Sequence, residues 1–114
     1  MKFRLQNSVI WGNLIHAMRD EFTIKPINVN GRTITKVIVD PHVRKHPDVT
    51  DDMILDLVRE LDGGEFRPED IKPPFEYFVT LEYLAEKQYR MVWLLEQDEI
   101  YIGVITVYRD ERNE

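Results

Sequence analysis

The sequence predicts an α+β fold in which two helices pack on an antiparallel sheet that ends in a three-strand meander. Three observations indicate it: two segments with apolar residues at helical spacing, an Asn-Gly turn beside β-branched residues, and three alternating segments after residue 74. Because the chain has 114 residues, 43% of them hydrophobic, we expect a single domain with its own core. Residues 1–39 would form a helix and hairpin, and residues 40–114 a helix plus the meander.

The N-terminal segment predicts a helix followed by a hairpin. Residues 8–22 read SVIWGNLIHAMRDEF, and one helical face collects Val9, Leu14, Ile15 and Met18. Residues 22–40 are expected to form a hairpin, because Asn30-Gly31 suits a two-residue turn in which both positions have positive φ. Pro26 places the first arm of this hairpin at a sheet edge.

A second helix is predicted to begin near Val49, capped by Thr50 or Asp48, and to end at Gly63-Gly64. Its apolar stripe consists of Val49, Met53, Ile54, Leu57, Val58 and Leu61. Strands are expected in residues 75–82, 89–96 and 100–109, and the last, apolar on both faces, should lie centrally in the sheet. One core should then contain Leu57, Val58, Phe75, Tyr77, Trp93, Ile102 and Val104.

Composition limits the class of protein. Cysteine is absent, so disulfides and thiol chemistry are excluded. The sequence contains no apolar run of about 18 residues, so no membrane span is expected. The N-terminus lacks the apolar core of a secretory signal. We therefore expect a cytoplasmic protein. The net charge of −6 argues against a generic nucleic-acid binder, which needs many Lys and Arg contacts. Residues 58–114 hold 7 basic and 14 acidic side chains, so an anion site must be a local basic patch.

The segment HVRKHPDVTDDMILDLV gathers His42, Arg44, Lys45 and His46 just before the second helix. Histidine can act as acid or base near neutral pH, and arginine can bind two oxygens of a phosphate. The N-terminus of the helix would add N–H groups that favour an anion. The alternative is a solvated loop with capping charges, and the residues alone favour that alternative.

Arg90 and Arg109 form a second candidate group. In a hairpin that turns at residues 97–99, residue 90 lies across from about residue 106, which puts both arginines near one end of the sheet. Tyr89 and Tyr108 flank them and are suited to stack on a base. The alternative is a pair of surface arginines bonded to glutamates of the neighbouring strand.

His42 and His46 also stand four residues apart after Asp40, a spacing that suits zinc when it occurs on a helix. Here Pro47 and the predicted cap place both histidines before the helix, and no third ligand is evident. We therefore expect no metal and no cofactor. Phosphate-loop, dinucleotide-binding and nucleophile-elbow motifs are absent from the sequence.

The order of these segments resembles the small toxin ribonucleases of the RelE-like superfamily, especially the BrnT family. RKHPDVTDDMILDLV is similar to that family's basic, histidine-bearing segment and the helix start that follows it. YRMVWLLEQDEIYIGVITVYR is similar to its last two strands, an apolar hairpin with an arginine at the end. The resemblance covers roughly residues 40–110.

The resemblance implies a metal-independent endoribonuclease of a toxin–antitoxin type system that cleaves RNA by acid/base catalysis. The implied catalytic residues are His42, His46, Lys45, Arg90 and Arg109, and the implied RNA-binding residues are Arg44, Tyr89 and Tyr108. Expected partners are RNA and a cognate antitoxin or other protein, with no membrane and with a homodimer left open. The alternative is a non-enzymatic acidic binding protein, such as an immunity protein, an antitoxin or an inhibitor of a nucleic-acid enzyme, because an acidic surface can occupy a basic active site.

Overall fold

A curled, six-stranded mixed sheet dominates the computed structural model, which describes residues 20–110. The strands are β1 (Asp20–Val29), β2 (Arg32–Val39), β3 (Asp70–Lys72), β4 (Phe75–Leu84), β5 (Lys87–Glu96) and β6 (Tyr101–Arg109). A 3-10 helix, Pro41–Lys45, and the helix α1, Asp51–Arg59, lie between β2 and β3. The strand order is β1-β2-β6-β5-β4-β3, so β6 is central, as its apolar faces predict.

The predicted fold class, two helices on an antiparallel sheet, is wrong. Strands make up more than half of the structure, and residues 20–110 contain one α-helix. The sheet is mixed, because β6 returns beside β2 in the same direction after the helix and the meander, with Val37 paired to Ile102. Of the predicted first helix, residues 8–19 lie outside the described residues, and residues 20–22 belong to β1.

The hairpin β1–β2 has the turn that its sequence predicts. Asn30 and Gly31 have φ values of 53° and 74°, as a tight hairpin turn requires. Strand β1 is an edge strand, and its pairing with β2 is irregular between Thr23 and Ile27, where Pro26 removes a backbone donor. The hairpin joins the meander through β2 and β6, so all six strands belong to one sheet.

The helix α1 begins two residues after the position expected for its start. The Thr50 side-chain oxygen accepts a hydrogen bond of 3.2 Å from the backbone N–H of Met53, which is an N-cap. Ile54, Leu57 and Val58 are buried. No helix within residues 20–110 is long and apolar enough to cross a lipid bilayer.

The buried residues form two clusters, one on each face of the sheet. The main core includes Leu57, Val58, Trp93, Ile102 and Val104. The second core consists of Ile38, Phe75, Tyr77, Val92, Leu94, Tyr101 and Ile105.

The expected single core is therefore wrong for Phe75 and Tyr77. Side chains alternate along β4, and Phe78 is the residue that turns to the main core, where its ring stacks on Trp93 with centroids 4.2 Å apart. Phe75 and Tyr77 consequently face the other side of the sheet.

Candidate functional site

A buried carboxylate holds an exposed imidazole where β2 ends. The backbone N–H of Asp40 donates to the carbonyl of Val104 at 2.8 Å, which continues the parallel pairing with β6. Asp40 Oδ1 accepts from the backbone N–H of His42 at 2.8 Å and lies 2.9 Å from His42 Nδ1. Because a carboxylate only accepts, Nδ1 carries a proton, which in a neutral ring leaves the lone pair on Nε2. The His42 side chain is 53% exposed, so this dyad can transfer a proton to or from a ligand.

The 3-10 helix places His46 against β6. Val43 is fully buried in the main core and anchors this helix, and the backbone N–H of His46 donates to its carbonyl at 3.1 Å. The rings of His46 and Tyr108 are in contact, with centroids 5.6 Å apart and an angle of 33° between their planes. Lys45, in the same short helix, is exposed, and Arg44 precedes it in the chain.

Arg90 lies directly across from Tyr108 in the β5–β6 pairing. Its Nη2 atom donates to Asp110 Oδ2 at 3.1 Å, and the two side chains are 22% and 3% exposed. Asp110 is fixed in turn by its backbone N–H, which donates to the carbonyl of Gln88 at 2.9 Å. We call His46, Tyr108, Arg90 and Asp110 the His46 cluster.

Arg109 and Tyr89 do not join the His46 cluster. They pair with each other, one residue along from Arg90 and Tyr108, and therefore project from the other face of the sheet. Tyr89 is buried in the main core, which leaves its ring inaccessible to a base. The expectation that both arginines line one patch is wrong, because Arg109 lies an odd number of residues from the strand partner of Arg90, whether that partner is residue 108, as observed, or residue 106, as expected. The longer β5–β6 turn and an irregular step beside Val92 shift the register.

Two acidic residues complete the site without having been singled out as partners from the sequence. The sequence indicates Asp40 only as a possible metal ligand, although an Asp side chain often accepts a hydrogen bond from the backbone N–H two residues later, here that of His42. Asp110 had no such signal, since its contact with Arg90 depends on the register of two strands. In the described part of the chain, no three His, Asp or Glu side chains come together as a metal-binding group.

A shallow depression of about 190 Å³ lies elsewhere, between the start of β4 and the end of β5. Its lining includes Arg32, Pro73, Pro74 and Phe75. Arg32 donates to the carbonyl of Glu96 at 2.7 Å, six residues along β5 from Arg90. The depression contains none of the predicted site residues.

Comparisons with protein-family models, with curated proteins and with solved structures found no match to this chain. The resemblance to the RelE-like and BrnT toxins therefore stays a prediction. The residues that bear on function are those of the His46 cluster and of the Asp40–His42 dyad.

Proposed function

We propose that this chain is a metal-independent endoribonuclease of the toxin–antitoxin type, which cleaves RNA by acid/base catalysis. The observation that carries the proposal is the contact between the His46 and Tyr108 rings, because Tyr108 is paired with Arg90. The ring of Tyr108 thus contacts an imidazole, and a guanidinium belongs to its strand partner, while His42 lies in the 3-10 helix that precedes His46. These are the groups that proton transfer and phosphate binding at neutral pH require.

The proposed reaction is an internal attack on the RNA backbone. A base removes the proton of a ribose 2′-hydroxyl, and the oxygen forms a bond to the adjacent phosphorus. The bond from phosphorus to the 5′-oxygen breaks, and an acid protonates that oxygen. The products are a 2′,3′-cyclic phosphate and a 5′-hydroxyl.

We assign the base to His42 and the acid to His46. Asp40 fixes the tautomer of His42 so that Nε2 can accept a proton, and a carboxylate behind an imidazole stabilises the imidazolium that then forms. His46 is half-buried against Tyr108, which holds its ring in one place on the surface. Proton transfer from such a positioned group contributes about 10²–10⁴ in rate.

Arg90 and Lys45 would bind the phosphate. One donor of the Arg90 guanidinium is bonded to Asp110, and a guanidinium carries five N–H donors in a planar fork, so further donors remain for a phosphate oxygen. Lys45 supplies an exposed second cation. The half-buried ring of Tyr108 would stack on a nucleobase of the RNA.

The test is expression of the chain without any partner, with growth, RNA integrity and the chemistry of the RNA ends as readouts. We expect growth arrest and RNA fragments that end in 2′,3′-cyclic phosphates, and we expect His46→Ala to lower cleavage by about 10²–10⁴. Lys72→Ala, at an exposed position of β3, is the matched control and should cleave like wild type. Wild-type cleavage by the folded His46→Ala protein would overturn the proposal.

The acidic turn between β5 and β6 supports binding to a basic protein as a second candidate function. Asp98 and Glu99 are exposed there, and the neighbouring Ile100 is 48% exposed. An acidic and apolar projection suits a basic partner with an apolar contact at its centre. Reversing Asp98 and Glu99 to lysine should then abolish salt-sensitive partner binding, whereas RNA cleavage should persist if both functions are present.

A further inference from the structure

Within residues 20–110, strand β4 has an open edge. Strand β3 pairs with Phe75 to Tyr77, and the next backbone hydrogen bond along this side is that of 2.7 Å from the N–H of Glu69 to the carbonyl of Tyr77. The open edge comprises the seven residues from Phe78 to Leu84, where no other strand of the described chain lies on this side. The open edge ends where the chain turns at Ala85 and Glu86 toward β5.

The open edge presents a regular row of hydrogen-bonding groups. Because the carbonyl of Tyr77 points outward, the alternation of an antiparallel pair turns the N–H and C=O groups of Val79, Leu81 and Tyr83 outward as well. An unpaired row of this kind is a template for another strand.

Exposed apolar side chains stand beside this row. Leu81 is 43% exposed and Tyr83 is 67% exposed, and both belong to the face of the sheet that carries the second core. They are two of the four exposed large hydrophobic side chains among the described residues. An open edge and an apolar pair at the same place indicate a contact surface.

We propose that β4 pairs with β4 of a second copy of this chain, antiparallel, about a two-fold axis at Leu81. The residue Leu81 is the midpoint of the open edge, so this register uses all seven residues of both strands. It sets Leu81 opposite the partner's Leu81, and Val79 opposite the partner's Tyr83. The outward N–H and C=O groups of these residues then form six backbone hydrogen bonds across the axis.

The charges favour this register over its neighbours. It places Glu82 opposite the partner's Thr80, so no like charges meet. An axis at Glu82 would bring two carboxylates into direct opposition, which is destabilising in a sheet. An axis at Thr80 would require pairing with Glu76 and Tyr77, which β3 already occupies.

The first experiment measures mass in solution by light scattering and sedimentation over a series of concentrations. Wild type should form a dimer, and Leu81→Lys and Leu81→Glu should each be monomeric, because two like charges then meet at the axis. An equimolar mixture of the two variants should form a mixed dimer, which native mass spectrometry resolves. Ile100→Lys, at a similarly exposed apolar position outside β4, should remain dimeric.

The second experiment measures the register. The chain has no cysteine, and residues facing each other in a hydrogen-bonded pair have Cα atoms about 5.5 Å apart, which is within the range for a disulfide. Leu81→Cys should therefore cross-link under mild oxidation, whereas Tyr83→Cys, opposite the partner's Val79, should not. A monomeric wild type at every concentration, or a monomeric mixture of the lysine and glutamate variants, would overturn the proposal and leave the edge to a different polypeptide.

Discussion

Arg90 and Arg109 lie at the same end of the sheet but on opposite faces. Arg90 is paired with Tyr108, and Arg109 is paired with Tyr89, whose ring is buried in the main core. Arg90 therefore lies on the face of the sheet that carries Tyr108, whose ring contacts His46, and Arg109 lies on the other face. A shift of one residue along each strand thus separates the position of Arg90 from that of Arg109, which lies on the face of the main core.

Arg90→Ala and Arg109→Ala should have unequal effects on RNA cleavage. Loss of a positioned charge that stabilises the transition state costs about 10²–10³ in rate, so Arg90→Ala should lower cleavage by that factor. Arg109→Ala should change it by much less. Single-turnover cleavage of a defined RNA by both variants measures the difference, and equal losses would contradict the assignment of the site to one face.

The Arg90 variant needs a control for stability, because Arg90→Ala removes a guanidinium that is bonded to the buried carboxylate of Asp110. The double variant Arg90→Gln with Asp110→Asn keeps a hydrogen bond and removes both charges. We expect the melting temperature of the double variant to lie closer to wild type than that of Arg90→Ala, while cleavage stays low. Recovery of cleavage together with stability would show that Arg90 has a structural role only.

The limits of the sequence are visible in particular residues. Alternation located β4, β5 and β6, and Asn30-Gly31 located the hairpin, because period and turn chemistry are local properties. The parallel pairing of β2 with β6 depends on the path of the whole chain between them. The residue pattern of neither strand predicts this pairing. The sequence indicates both His46 and Tyr108, but their contact depends on where the 3-10 helix packs. The role of Asp110 depends on the register of two strands.

Leu57→Ala should destabilise the protein by about 2–5 kcal/mol, the usual cost of truncating a large side chain in a core. Leu57 is fully buried in the main core, so the substitution leaves a cavity between α1 and the sheet. Urea unfolding measures the change, and the partly buried Leu55 is the control, since Leu55→Ala should cost less. If Leu57→Ala lowered the free energy of unfolding by less than Leu55→Ala does, α1 would not pack as described.

Asp40→Asn should lower RNA cleavage by up to about 10⁴, because the amide no longer stabilises the imidazolium that forms on a catalytic histidine. The amide oxygen of asparagine can still accept from the backbone N–H of His42, so the cap and the fold should persist. The informative comparison is a double-mutant cycle with His42→Ala. If Asp40 acts through His42, Asp40→Asn should cause no further loss once His42 has been removed, whereas additive losses would separate the two residues.

Glu82 should make the stability of the folded monomer depend on pH. Burial raises the pKa of Glu82 above its ordinary value of 4.5, and the nearby carboxylate of Glu60 raises it further. Well below pH 4.5 the carboxyl group is protonated in both the folded and the unfolded chain, so it does not lower the free energy of unfolding. As the pH rises from there, the unfolded chain loses this proton first, and folding becomes less favourable until the folded group also ionises.

Glu82→Gln should consequently stabilise the protein at pH 7 but not at pH 4, and Glu60→Gln should have a smaller effect of the same sign. Urea unfolding at a series of pH values measures this at concentrations low enough to keep the chain monomeric. A Glu82→Gln protein that is less stable than wild type at pH 7 would show that the carboxylate makes a favourable contact that outweighs its burial.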